Sequence, residues 1–210
     1  MDRISQTDYL NDPCKTSSLP FWKTNAICLP DNIIVLRDDV FHNYNVINGI
    51  DEPYFKLIHR LENNAEPILP PGFEVIETNI DVFSSHINKC YKEEGITPEG
   101  LKEYLNHRVY DKDLWIAVKD IRTNEVVATG IGELDTDISE GVLEWIQVSP
   151  DYRKKGLGRY VVNELLYRLS KKATFVTVSG KMKSESCPLK LYKSCGFKNM
   201  VIWHIIKTNE

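Results

Sequence analysis

The sequence predicts an α/β fold of the α+β kind, with strands and helices interleaved around one sheet. Three observations predict it. From residue 73 onward, alternating and β-branched runs interrupt helical periodicity in the order β-α-α-β-β-β-α-β-α-β. A strand, a basic turn with two glycines and an amphipathic helix follow one another without a break between residues 142 and 170. The chain has 210 residues, 42% hydrophobic and 27% charged, enough to fill one core and carry an appendage.

In the N-terminal region, residues 32–36 and 54–61 read as strands. In the second, Tyr54, Lys56, Ile58 and Arg60 alternate with Phe55, Leu57, His59 and Leu61. The run from Ser17 to Trp22 reads as an apolar docking patch, with the lining of a pocket as the alternative. Residues 63–72, rich in Asn, Pro and Gly, read as a connector. The expected division is therefore an extension over 1–70 that packs on a core over 71–210. Within the core, 73–78 is a strand and 81–94 a helix. A second helix is expected over 98–109, capped by Thr97 with Glu99 and Glu103 in its early turns. Strands follow at 114–118, 125–134 and 142–148. Residues 157–170, 174–178, 187–195 and 200–206 complete a helix, a strand, a helix and a final strand.

In the helix after the turn, Val161, Val162, Leu165, Leu166 and Leu169 form one apolar stripe, which leaves Glu164 and Arg168 to face water. The helix must then start between Gly156 and Arg159. A helix start leaves N–H groups unpaired and concentrates positive potential, and glycines let a ligand approach the main chain. Arg153, Lys154, Lys155 and Arg159 add formal charge, so an anion is expected there. Two familiar phosphate loops fail on spacing. A dinucleotide fingerprint needs a small residue where Val161 stands and an acid near Val178; a P-loop ending at Gly180-Lys181 needs glycine where Phe175 stands.

The remaining pattern, Arg153-x-x-Gly156-x-Gly158, resembles the pyrophosphate loop of the GNAT superfamily of N-acetyltransferases. The flanks extend the resemblance: Val148-Ser149-Pro150 before the loop, the strand Thr174 to Val178, then Leu191-Tyr192-Lys193-Ser194-Cys195-Gly196-Phe197. It covers roughly residues 73–207 and not the first 70. The resemblance implies a central mixed, mostly antiparallel sheet flanked by helices, here with an N-terminal α+β extension. Strands 142–148 and 174–178 are expected to splay so that pantetheine enters between them. It implies acetyl-CoA as acyl donor, its pyrophosphate held by N–H groups from Lys154 through Leu157 to Arg159, with no metal.

The implied reaction is direct transfer of the acyl group to an amine in a ternary complex. Tyr192 occupies the position that often protonates the departing sulfur, and a phenol holds its proton at neutral pH; the alternative is a buried helix tyrosine packing beside Phe197. The backbone N–H of Val148 is implied to polarise the thioester carbonyl, with Ile146 beside it along the pantetheine. Glu185 stands where many relatives have asparagine, and is expected to alter contacts to pantetheine. For the amine's base there are two candidates. Glu144 has the parity of Ile146 and Val148, and Glu133 ends the preceding strand; ordered water is the alternative.

The acids Glu133, Asp135, Asp137 and Glu140 read as a solvated hairpin tip. If they border the acceptor, they favour a cationic small molecule or a peptide N-terminus. Residues 151–199 hold 12 Lys and Arg against 3 Asp and Glu, a local +9, so the rest carries −13 of the net −4. Without interleaved aromatics, and with a pI near 5.8, no nucleic-acid partner is expected. Neither a membrane span nor a signal peptide is expected. Five cysteines without C-x-x-C spacing argue against a disulfide scaffold and a zinc site, so a reducing cytoplasm is the expected setting. Cys187 and Cys195 are expected to pack, and His204 to be a satisfied core or cleft histidine. A monomer or homodimer is expected. The rival reading is a non-catalytic acyl-CoA-binding regulatory module.

Overall fold

The computed structural model describes residues 4–208 except 25, 44–48, 63–64, 92–94 and 185–186. In chain order the elements are helices α1 (Gln6–Asn11), α2 (Pro13–Thr16) and α3 (Phe21–Thr24), strand β1 (Ile33–Arg37), helix α4 (Asp38–Phe41) and strands β2 (Gly49–His59) and β3 (Phe73–Ile76). Helices α5 (Ile80–Cys90) and α6 (Pro98–Glu103) follow, then strands β4 (Trp115–Asp120), β5 (Val126–Asp135) and β6 (Glu140–Val148). Helix α7 (Leu157–Leu169), strand β7 (Phe175–Lys181), helix α8 (Pro188–Ser194) and strand β8 (Lys198–Thr208) complete the chain. The strands make one open mixed sheet, ordered β1-β8-β2-β7-β6-β5-β4-β3.

The chain separates into two compact units, one of residues 61–176 and one of residues 1–60 with 177–210. In the first, β3 to β6 form an antiparallel meander. The start of β7 joins β6 in parallel: the Thr174 N–H donates to Ser139 O at 2.9 Å, and a Cβ on Gly141 would touch Val176. Helix α7 packs its stripe of Leu157, Val161, Val162, Leu165, Leu166 and Leu169, all at most 1% exposed. Glu164 is buried beside Arg168, whose Nε donates to it at 2.7 Å, so this carboxylate does not face water as its sequence position suggests. On the opposite face, Phe83, Ile87 and Leu101 of α5 and α6 pack on Ala117 and Ile131.

Asn79 and Thr97 cap α5 and α6 through their side chains. The helix expected over 98–109 is shorter than its pattern. It tightens into a 3₁₀ turn at Tyr104–Asn106, because the next residues are drawn onto β5: the Leu134 N–H donates to Val109 O at 2.8 Å, and Arg108 grips Asp135.

In the second unit β2 lies between β8 and the end of β7, and β1 pairs with the other side of β8. The alternation read in β2 fails, since Phe55, Lys56, Leu57 and Ile58 are all buried. The segment before β1 covers one face of β2. The Lys56 ammonium donates to Tyr9 Oη at 3.1 Å, Ser17 O at 3.0 Å and Leu19 O at 2.7 Å. Ser179 Oγ donates to Ser18 O, so the run starting at Ser17 docks on the sheet. A strand covered on both faces reads as a continuous buried run.

Candidate active site

The turn into α7 is built by two left-handed residues. Lys154 has φ 62° and Gly156 φ 86°, the latter at the N-cap of α7, which has no side-chain cap. The N–H groups of the first helical turn have no intrahelical partner by geometry. Arg153, Lys154, Lys155, Gly156 and Arg159 are exposed, Gly158 is half-buried and Leu157 is anchored in the core. The Arg153 Nε donates to Val148 O at 3.3 Å, and the Lys155 ammonium lies over the Tyr152 ring. An N-terminus of a three-turn helix, a left-handed turn of exposed backbone and four cations fit a polyanionic phosphate group.

Strand β6 carries a bulge. Thr129 of β5 faces Gln147 while Ile131 faces Glu144, so β6 holds one extra residue between them. Trp145 absorbs it at φ 47°, which a bulky side chain rarely adopts. Its neighbours over-determine it: Trp145 Nε1 donates to Tyr104 Oη at 3.0 Å, and the Tyr91 ring packs edge-on at 5.6 Å. The bulge corrects the parity assigned to Glu144. Val148 faces Ala128 and Glu144 faces Ile131, so the two point to opposite sides of the sheet. Ile146 lies on the α7 side, where its Cδ1 is 2.9 Å from a Cβ built on Gly130. Glu144 and Glu133 share the α5 side with Ile131, since Glu133 faces Val142 on the same alternation.

Three of the four hairpin acids are buried, contrary to a solvated tip: Glu133 at 2% exposure, Asp135 and Glu140 at 0%. Asp135 takes two bonds from Arg108, at 2.6 and 2.9 Å, and Asp137 a third at 2.8 Å. Much of this negative charge therefore has an internal partner. Beside it, His107 Nδ1 lies 3.8 Å from Glu133 Oε1, and the His107 ring contacts Tyr104 at 5.0 Å between centroids. Residues 104–108 and Trp145 carried no signal in sequence, because their neighbours are on other strands.

Beneath the end of β6 is a polar network. His86 places Nδ1 2.9 Å from Thr129 Oγ1 and Nε2 3.0 Å from Ser149 Oγ, next to Val148. Gln147 donates to the same Thr129 hydroxyl. Burial pushes the His86 pKa down to about 4, helped by the charge of Lys89, so the ring is neutral near pH 7. Burial likewise pushes the Cys90 thiol up.

Tyr192 belongs to the other unit, in α8. It is 6% exposed, with Phe55 at 6.1 Å and Phe197 at 5.6 Å between centroids. Pro188 stands in the first turn of α8. Glu185 lies outside the described residues. Cys195 is buried but Cys187, expected to pack, is exposed as the left-handed residue before α8. Glu133, Glu144, Ile146, Val148 and the loop of Arg153 to Arg159 all lie in the unit of residues 61–176. Among the described residues, no group of three or more His, Cys, Asp or Glu could hold a metal ion, and no helix is long and apolar enough to cross a membrane.

Residues 110–199 match the family model of an acetyltransferase (GNAT) domain. A GCN5-related N-acetyltransferase from Sphaerobacter thermophilus superposes with a TM-score of 0.65 at 14% identity, over 84% of this chain and 60% of that one. A GNAT-family acetyltransferase from Colwellia psychrerythraea gives 0.59 at 11% identity, over 84% and 64%. The ribosomal-protein-S18-alanine N-acetyltransferase of Escherichia coli gives 0.50 at 15% identity, over 66% and 96%. The chain thus spans about 60% of the length of the first of these structures. No curated protein matches the sequence. The match covers the β4 to β6 meander, the left-handed turn and α7, and the chain has the fold of these GNAT acetyltransferase structures.

Proposed function

We propose that this protein transfers an acetyl group from acetyl-CoA to a primary amine in a ternary complex. The observation that carries the reading is the uncapped start of α7, entered through left-handed Lys154 and Gly156 and surrounded by Arg153, Lys155 and Arg159. That arrangement receives the pyrophosphate on main-chain N–H groups, while Ile146 and Val148 run beside the pantetheine. The acyl donor brings an activated thioester carbon. The chain's residues bind it, polarise its carbonyl through the Val148 N–H, and hold Tyr192 as the proton donor to the departing sulfur. The acceptor approaches from the α5 side of β6, where Glu133 and Glu144 lie, and is a cationic amine of a small molecule or a peptide N-terminus. The setting proposed is the cytoplasm.

Calorimetric titration of the wild type and of Gly158→Ala with acetyl-CoA and with 4′-phosphopantetheine tests the cradle. Wild type is expected to bind acetyl-CoA far more tightly than the truncated ligand, and Gly158→Ala to lose most of that affinity. A wild type that binds neither ligand overturns the reading. Acetyl-CoA binding without thiol release over a broad amine panel would instead favour a regulatory acyl-CoA-binding module.

A further inference from the structure

We infer that His107 and Glu133 form the proton-accepting dyad for the amine, an inference that rests on the acyl-transfer reading. Glu133, a candidate base for the amine, is 2% exposed, which leaves it little access to an incoming amine. The group set against it is His107, whose Nδ1 is buried 3.8 Å from Glu133 Oε1 while 31% of the side chain remains exposed. In the dyad we infer, the ring carries its proton on Nδ1, toward the carboxylate, and Nε2 is the accepting nitrogen. The carboxylate then orients the ring and stabilises the imidazolium that forms when it takes a proton.

The placement is over-determined by the chain on either side. Arg108 holds Asp135 with two bonds, and Leu134 N–H donates to Val109 O. These ties hold the segment along β5, with His107 beside Glu133. On its other side, His107 contacts Tyr104, whose hydroxyl accepts from Trp145 at the β6 bulge. The dyad is thereby connected to the strand that carries Ile146 and Val148. The neighbouring ionisable groups in register are Tyr104, Glu144 and the Arg108, Asp135 and Asp137 cluster, where Arg108 is committed to two carboxylates.

In the step proposed, an ammonium acceptor passes one proton to His107 Nε2. The freed lone pair forms the C–N bond to the acyl carbon, and the C–S bond breaks. The second proton shed by nitrogen balances the proton gained by the CoA sulfur. Net, ammonium and thioester become amide, thiol and one proton, which His107 returns to solvent.

The test compares wild type, His107→Gln and Glu133→Gln. Acetyl-CoA affinity is measured by calorimetry, thiol release with spermidine, phenethylamine, a tripeptide and hydroxylamine, and the His107 tautomer by ¹⁵N NMR. Hydroxylamine is already neutral at the assay pH and needs no base. We expect unchanged acetyl-CoA affinity in both variants. For alkylamines that the wild type accepts, kcat/KM should fall on the order of 10²-fold, with a much smaller loss for hydroxylamine. Wild-type His107 should be the Nδ1–H tautomer, and Glu133→Gln should lose that preference. An Nε2–H tautomer in wild type, equal losses for neutral and protonated amines, or full alkylamine turnover in His107→Gln would overturn the dyad. A wild type that fails to bind acetyl-CoA brings down the acyl-transfer reading beneath it, which the tautomer alone cannot do.

Discussion

Tyr192 is packed between Phe55 and Phe197 and is 6% exposed, so replacing it by phenylalanine keeps the ring and removes one oxygen. If that oxygen delivers a proton to the sulfur, Tyr192→Phe lowers thiol release on the order of 10²-fold while the folded state changes by about 1 kcal/mol. Steady-state thiol release and thermal unfolding check both halves; wild-type turnover would remove Tyr192 from the mechanism. The packing of Tyr192 beside Phe197 was legible because the motif that holds both is contiguous. His107 was not, since its partner Glu133 is 26 positions away and meets it only when residues 108 and 109 are tied to β5. Glu144 was legible as a carboxylate on a strand but not by side, because parity cannot foresee the extra residue at Trp145.

The start of α7 makes a different demand on each of its glycines. Gly156 sits at φ 86°, where an alanine is strained, whereas Gly158 lies within the helix, where alanine is the better helix former. Gly156→Ala should therefore cost about 1 kcal/mol of stability as well as weakening acetyl-CoA binding. Gly158→Ala should weaken binding at no cost in stability. Urea unfolding beside the titration separates them, and a Gly156→Ala variant as stable as wild type would contradict the left-handed cap. At this scale most elements were legible, because hydrophobic periodicity reports which face of a helix or strand is covered. Strand β2 departed from its pattern for the same reason. A second cover, held by Lys56 and Ser179 to residues 17–19, buries both its faces.

The two buried histidines link stability to pH with opposite signs. His86, depressed to about 4 from an ordinary value of 6.5, leaves the unfolded chain binding more protons between those limits, so stability falls as pH drops from 6.5 toward 4. The loss amounts to about 3 kcal/mol. For His204, burial alone would lower the pKa, but hydrogen bonds at 2.9 Å to Asp51 and 3.0 Å to Asp38 outweigh it and raise the value. Its contribution is complete below pH 6.5 and is lost as pH rises through the raised value. Denaturant unfolding at pH 4.5 and 7 should show a smaller difference between the two pH values in His86→Gln than in wild type. An undiminished difference would assign the acid sensitivity elsewhere.

For the molecule as a whole, local order along the chain was enough to specify the succession of elements from residue 73 on, the turn that enters α7 and the helix that carries Tyr192, but not helices α1 to α4. Each depends on neighbours within a few residues or on a period of covered positions. The rest depends on pairing between distant segments. Only the folded sheet could place β2 beside β8, put one extra residue at Trp145, turn Glu144 away from Val148, bury three hairpin acids and bring His107 to Glu133. In each of these the deciding contacts are hydrogen bonds and packing across strands, whose register is a property of the partner strand as much as of the chain being read.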